Sequence, residues 1–177
     1  MSEAISTSRY EGVQIQHISA DLAYLERIAL GTAAPVPPRR DAVAARPGAL
    51  AFTAAIGGRL AGFMLGLPGD AEAGPDLIAA ETGLSTGWSG AFTGSALRVF
   101  APVVAPVAAS LGVSEVLLGA ALQEQPDGRI FAVLPGGHPA NRVARAAGWH
   151  EIGRGRSGMQ LLLHPGHPAL AAILIRE

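Results

Sequence analysis

Apolar and polar residues alternate through residues 13–18 (Val-Gln-Ile-Gln-His-Ile), a period of two that predicts a half-buried strand. Ser19 then offers a hydroxyl cap and Asp21 a first-turn acid. Leu22, Leu25, Ile28 and Ala29 recur at helical spacing, so a helix follows that strand. Pro35, Pro37 and Pro38 end it, and residues 41–45 can form a second short helix. Residues 50–56 and 59–67 read as strands joined by Gly57-Gly58, a two-residue hairpin signal. A turn-rich stretch leads to a weakly patterned strand at 76–85 and a Gly-rich loop at 87–94. Residues 95–111 then predict a helix that Pro102 and Pro106 must kink or split. Strands are expected at 113–121, 129–134 and 159–163. A helix at 139–147 is closed by Gly148, and an apolar tail at 168–175 predicts a terminal helix. Strand-loop-helix units around a central hairpin indicate an α/β (α+β) fold with a mixed sheet and helices on both faces.

Composition narrows this reading. A length of 177 residues argues for one domain over the whole chain, with residues 1–11, which are polar, expected to be flexible. Apolar residues make up 49%, which excludes a disordered chain. The net charge of −1 lacks the basic excess of a nucleic-acid binder. Every basic residue apart from histidine is Arg, with clusters at Arg39-Arg40 and at Arg142, Arg145, Arg154 and Arg156. Arg suits bidentate phosphate or carboxylate contacts, while Arg without Lys beside abundant Ala, Gly and Pro is also the usage of a high-GC coding sequence. The absence of Cys excludes disulfides, thiolate metal sites and a cysteine nucleophile. His164 and His167 flank a Pro-Gly turn, but no further ligand is placed near them by sequence, so no metal is expected. His138, before Pro139 at a helix start, suits a capping role. The longest apolar stretch, 99–113, carries two prolines and is too short to span a bilayer. No signal peptide is recognisable, so a cytoplasmic location is expected.

Two stretches carry a resemblance. The run Arg142-Val-Ala-Arg-Ala-Ala-Gly-Trp149, followed by Glu151-Ile152-Gly153, resembles the last helix and strand of the GNAT (GCN5-related N-acetyltransferase-like) superfamily. The run Leu84-Ser-Thr-Gly-Trp-Ser-Gly-Ala-Phe-Thr-Gly-Ser-Ala-Leu97 resembles that family's strand, pyrophosphate loop and helix start. The hairpin at 50–67 stands where the family's second and third strands belong. The resemblance implies a mostly antiparallel sheet and transfer of an acyl group, acetyl above all, from acyl-CoA to an amine of a small molecule or peptide. It also implies roles. Backbone amides at Leu84, Ser85 and Thr86 would hold the acyl carbonyl. Ser89, Gly90, Ala91, Phe92, Thr93, Gly94 and Ser95 would cradle the diphosphate at a helix N-terminus. Glu81 would be the general base.

The loop departs from the family pattern: Ser89 stands where Arg or Gln is usual and Phe92 replaces the middle Gly. Ala144 occupies the position of a tyrosine that many members use as general acid. These departures leave two further readings open. The donor could be an acyl group on a carrier protein or an aminoacyl-tRNA, or the domain could bind without catalysing. Trp88 and Phe92 can either line an acyl or acceptor pocket or pack the loop on the core. The apolar tail offers a surface for a homodimer.

Overall fold

The computed structural model describes residues 4–31, 39–69, 96–154 and 158–174. Its first strand, β1 (Ile5–Glu11), is followed by two helices, α1 (Val13–His17) and α2 (Ser19–Leu30), and by the short α3 (Arg39–Ala44). The hairpin of β2 (Leu50–Ile56) and β3 (Arg59–Pro68) turns at Gly57 and Gly58, both with positive φ, the conformation that the tight connection demands. Two short strands follow, β4 (Leu97–Val99) and β5 (Val103–Val104), and then a 3₁₀ turn at Pro106–Ala108. The rest of the described chain is α4 (Val113–Glu124), β6 (Ile130–Pro135), α5 (Pro139–Ala146), β7 (His150–Arg154), β8 (Met159–Leu163) and α6 (Ala169–Leu174).

The strands form one sheet in the order β1-β2-β3-β4-β6-β8-β7, with β5 pairing β3. Among the described strands only β4 and β6 pair in parallel, the crossover between them carrying α4. The mixed, mostly antiparallel sheet expected from sequence is therefore present. Alternate residues of β3 face opposite ways. Phe63 and Leu65 face the layer of α2 and α3, where they meet Glu26 and Val43 around a common cavity. Gly62 faces the other layer, where Val113 and Leu117 of α4 lie against it. Helices thus cover both faces. Phe52, Met64, Val99, Leu117, Ile130 and Leu162 belong to the main core, and Leu170 of α6 packs in a second cluster with Phe131 and Val133.

Four expectations are corrected. Residues 13–18 are not a strand: Gly12 turns the chain and Val13–His17 form one helical turn that buries only Ile15. The first strand lies in residues expected to be flexible, and all seven residues of β1 pair with β2, Ile5 opposite Ile56 through Glu11 opposite Leu50. Backbone bonds hold this polar strand, so it carries no apolar signature. Of the helix expected at 95–111, the described residues 96–111 form none. Pro102 and Pro106 interrupt the helical ladder, and the chain forms β4, β5 and a turn instead. Residues 113–121 are not a strand. Val113, Leu117 and Ala121 recur every four residues and are buried together, which is the face of a helix.

Candidate active site

β4 and β6 pair over three positions only, Leu97 with Ile130, Arg98 with Phe131 and Val99 with Ala132. From there they part. Phe100 donates its N–H to the Leu65 carbonyl (2.9 Å) and Ala105 to that of Ala61 (2.8 Å), so the chain stays with β3. β5 continues that pairing, Val104 opposite Gly62 and Val103 opposite Phe63. β6 runs on through Val133, Leu134 and Pro135, which pair with β8 on its other side. A parallel pair therefore splays open.

A cavity of about 140 Å³ sits at this opening. Phe63 and Leu65 from β3, Phe100 and Val103 from the departing chain, and Val133 and Pro135 from β6 line it. The Arg98 guanidinium, fully buried, stacks 4.8 Å from the centre of the Phe100 ring and backs that wall. The helical layer contributes Val43, Arg40 and Glu26.

Glu26 is the acid of this cavity. It is 6% exposed and lies on the α2 stripe with Leu22 and Leu25. Arg40 approaches its Oε2 at 3.8 Å, too far for a hydrogen bond. The Arg40 guanidinium, ion-paired to Glu26 at that distance, also bonds elsewhere. Nη1 donates to the Ser19 carbonyl (3.2 Å), and Nε (3.0 Å) and Nη2 (2.8 Å) lie on Asp41 Oδ1. Burial pushes the Glu26 carboxyl above its ordinary value, Arg40 opposes this, and Asp41 adds to it. A buried carboxyl with a raised pKa in a cleft is suited to take up a proton.

The second element of the site is the start of α4. Gly112 precedes it at φ 80° and ψ 15°, and no side chain caps the helix. The first amides of a helix have no partner within it and carry partial positive charge, so this end can receive an anion. No basic residue occurs between Arg98 and Arg129, and Glu115 stands in the first turn of α4. Any attraction here comes from the backbone amides, and the Glu115 carboxylate, whose Oε2 lies 3.9 Å from where a Gly112 Cβ would stand, opposes it.

Glu81, Leu84, Ser85, Thr86, Ser89, Gly90, Ala91, Phe92, Thr93, Gly94 and Ser95 lie outside the described residues. The element they were expected to feed is corrected: Leu97–Val99 is a strand, and the helix after it is α4. Ala144 is buried in the core. Asn141 of α5 donates from Nδ2 to the Pro135 carbonyl (2.7 Å), tying α5 to the end of β6 at the opening. His138 caps α5 by accepting the Ala140 N–H at Nδ1 (3.1 Å), the role its position suggested. His164 and His167 accept the N–H groups of Gly166 (3.0 Å) and Ala169 (3.1 Å) in the same way. Burial first, and then Arg129, bring the His167 imidazole down to about 4. Among the described residues no cluster of three or more His, Asp or Glu side chains is placed to hold a metal. The arginine cluster is partly neutralised, since Arg145 and Arg154 both bond Glu151, whose carboxyl is held low chiefly by Arg154. No described helix is long and apolar enough to cross a membrane.

Glu26 is the functional candidate that sequence reasoning missed. It stands one position after Leu25 and four after Leu22, so a charge on the apolar stripe of an amphipathic helix was the available signal.

The architecture is that of known enzymes. An acetyltransferase from Thermus thermophilus matches with a TM-score of 0.59 at 15% identity, over 93% of this chain and 99% of that one. An acyl-CoA N-acyltransferase from Pseudomonas aeruginosa matches with a TM-score of 0.57 at 11% identity, over 90% and 97%. A GNAT family acetyltransferase from Brucella melitensis, in complex with acetyl-CoA, matches with a TM-score of 0.52 at 14% identity, over 91% and 88%. No protein-family model matches the sequence, and no curated protein does. The chain has the GNAT-superfamily fold.

Proposed function

We propose that the protein is an N-acyltransferase that moves an acyl group from acyl-CoA to an amine. The observation that carries this reading is the splay of β4 from β6 with a carboxyl-bearing cavity on one side and an uncapped helix start on the other. A pantetheine arm is an extended chain with amide groups, and a strand edge released from pairing is a surface that such a chain can join. The diphosphate goes to the turn at 109–114 in place of the loop at 87–94, because an anion cradle of this kind needs a helix after it and α4 supplies one.

The chemistry then follows. The acceptor amine loses a proton to Glu26, directly or through a water, and its lone pair attacks the thioester carbonyl. Backbone N–H groups at the strand opening stabilise the tetrahedral oxyanion. The C–S bond breaks and the thiolate leaves, taking up a proton to give CoA thiol, while the acyl group remains on nitrogen as an amide. Release of CoA thiol from acetyl-CoA in the presence of an amine panel tests this reading. No thiol release with any amine, together with no calorimetric binding of CoA, would refute it.

One observation favours a second donor. The start of α4 has no basic side chain near it in sequence, so a phosphopantetheine arm on a carrier protein, which lacks the diphosphate and nucleotide, would lose less there than CoA does. Faster transfer from an acylated carrier than from acetyl-CoA would select this donor.

A further inference from the structure

The hydrogen-bond inventory of the cavity specifies its occupant more closely than the fold does, and the following rests on the acyltransferase reading only in taking the cavity as the acceptor site. Glu26 Oε2 is buried and has no hydrogen-bond partner among the described residues. A buried acceptor without a donor carries a desolvation penalty that a bound N–H or O–H donor removes. Arg40, the ion-pair partner of Glu26 at 3.8 Å, does not hydrogen-bond Oε2, and three of its five N–H groups lie on Ser19 and Asp41. The missing group is therefore a donor, and beside a carboxylate the best donor is a cation.

The walls restrict the remainder of the ligand. Val43, Phe63, Leu65, Phe100, Val103 and Val133 present apolar surface. A second positive charge or a row of hydroxyls on the ligand would be desolvated there without a partner. We infer that the acceptor is a primary monoamine with an apolar body, aryl or alkyl, held by an ammonium–carboxylate contact to Glu26. Polyamines, amino acids and amino sugars are disfavoured.

Binding of amine alone to the full chain tests this without any acyl donor, read by saturation-transfer NMR and calorimetry. Benzylamine and hexylamine are expected to bind. Benzyl alcohol, the uncharged analogue, is expected to bind at least about tenfold more weakly, as are spermidine and alanine. Glu26→Gln, which keeps shape and removes charge, should cut benzylamine affinity by about tenfold and erase its advantage over benzyl alcohol. Val103→Phe, which fills the cavity from the strand side, should abolish binding of both. Preference for spermidine or alanine, undiminished benzylamine binding in Glu26→Gln, or no amine binding at all would overturn the inference. The two proposals fail separately. Benzylamine binding without thiol release removes the transferase and leaves the acceptor site. Thiol release with spermidine but not benzylamine keeps the transferase and removes this acceptor class.

Discussion

Gly62 lies where β3 passes beneath the start of α4, opposite Val104 of the departing chain. A methyl group added there would stand 2.5 Å from Val113 Cγ1, 3.2 Å from the Val103 carbonyl oxygen and 3.3 Å from Leu117 Cδ1. Carbon atoms in contact sit about 3.5–4.0 Å apart, so Val113 must yield by roughly 1 Å. Val113 is 1% exposed and Leu117 fully buried, and a β-branched side chain in a helix has one favoured rotamer. The helix start has to move. Overpacking of this kind costs about 1–3 kcal/mol. Gly62 is not in the left-handed region, so alanine regains about 0.5–1 kcal/mol of strand conformational entropy. Taken at the middle of these ranges, Gly62→Ala should therefore destabilise by about 1.2 kcal/mol, a fall in Tm of about 2–5 °C for a domain of this size. Urea unfolding with an unchanged m-value is the measurement. Val113→Ala alone removes two buried methyl groups and should cost about 2 kcal/mol. The double variant should be more stable than the sum of the two losses by about 1 kcal/mol or more, because each change vacates the space that the other needs. The same shift moves the α4 amides, so the KM for acyl-CoA should rise. A Gly62→Ala protein of equal or higher Tm, or strict additivity in the cycle, would refute the packing argument.

Three further outcomes are expected. Glu26→Gln should keep or raise Tm at neutral pH while lowering kcat by about 10²–10⁴. The raised Glu26 pKa means that the folded state binds its proton more tightly, so wild-type stability falls as pH rises from 4.5 through the folded value, and the variant should lack that fall. His167 works with the opposite sign. Its imidazole titrates at about 4 when folded against 6.5 in the free group, so stability is lost as pH drops from 6.5 toward 4, by about 3 kcal/mol. His167→Asn keeps a cap acceptor for the Ala169 N–H and should flatten that slope in pH-dependent unfolding. Ala109→Arg places a cation in the turn before α4 and should tighten CoA by about threefold to tenfold at low salt, with the gain fading as salt is raised. No gain in calorimetry would count against a diphosphate at that turn.

How much of this the sequence could disclose depends on where each signal lives. The β2–β3 hairpin was legible because its determinant is local: two glycines that take positive φ between two apolar runs. The α5 end was legible for the same reason at Gly148. Residues 13–18 misled because six residues of alternating pattern fit one helical turn that buries a single Ile as well as they fit a strand. β1 was invisible because what fixes it is its seven-residue register with β2 and not any apolar side chain. Of the candidate site, Glu81 and the loop ending at Ser95 lie outside the described residues, while Glu26 was present in plain view on an apolar helix stripe.

The opening itself is the hardest feature to read, and its cause is physical. A parallel pair that ends after three positions leaves no periodicity, since β4 has three residues and β5 two. The two prolines nevertheless mark the place. Read locally, Pro102 and Pro106 are breaks in a helix that does not exist. In the sheet, Pro102 has no N–H to give to either neighbouring strand, and it lies between Phe100, which bonds to Leu65, and Ala105, which bonds to Ala61. Pro106 then opens the 3₁₀ turn that reverses the chain toward α4. The same residues that defeat a helix therefore let the chain leave β6 while keeping β3, and this departure creates both the cavity beside Glu26 and the uncapped start of α4. The fold alone would not predict whether that space is polar or apolar. Phe63, Leu65, Phe100 and Val133 make it apolar, and Glu26, ion-paired to Arg40 at 3.8 Å, gives it a carboxyl. The chemistry of the acceptor is thus set by a handful of side chains around a break in pairing, and Glu26→Gln separates that chemistry from the architecture that holds it.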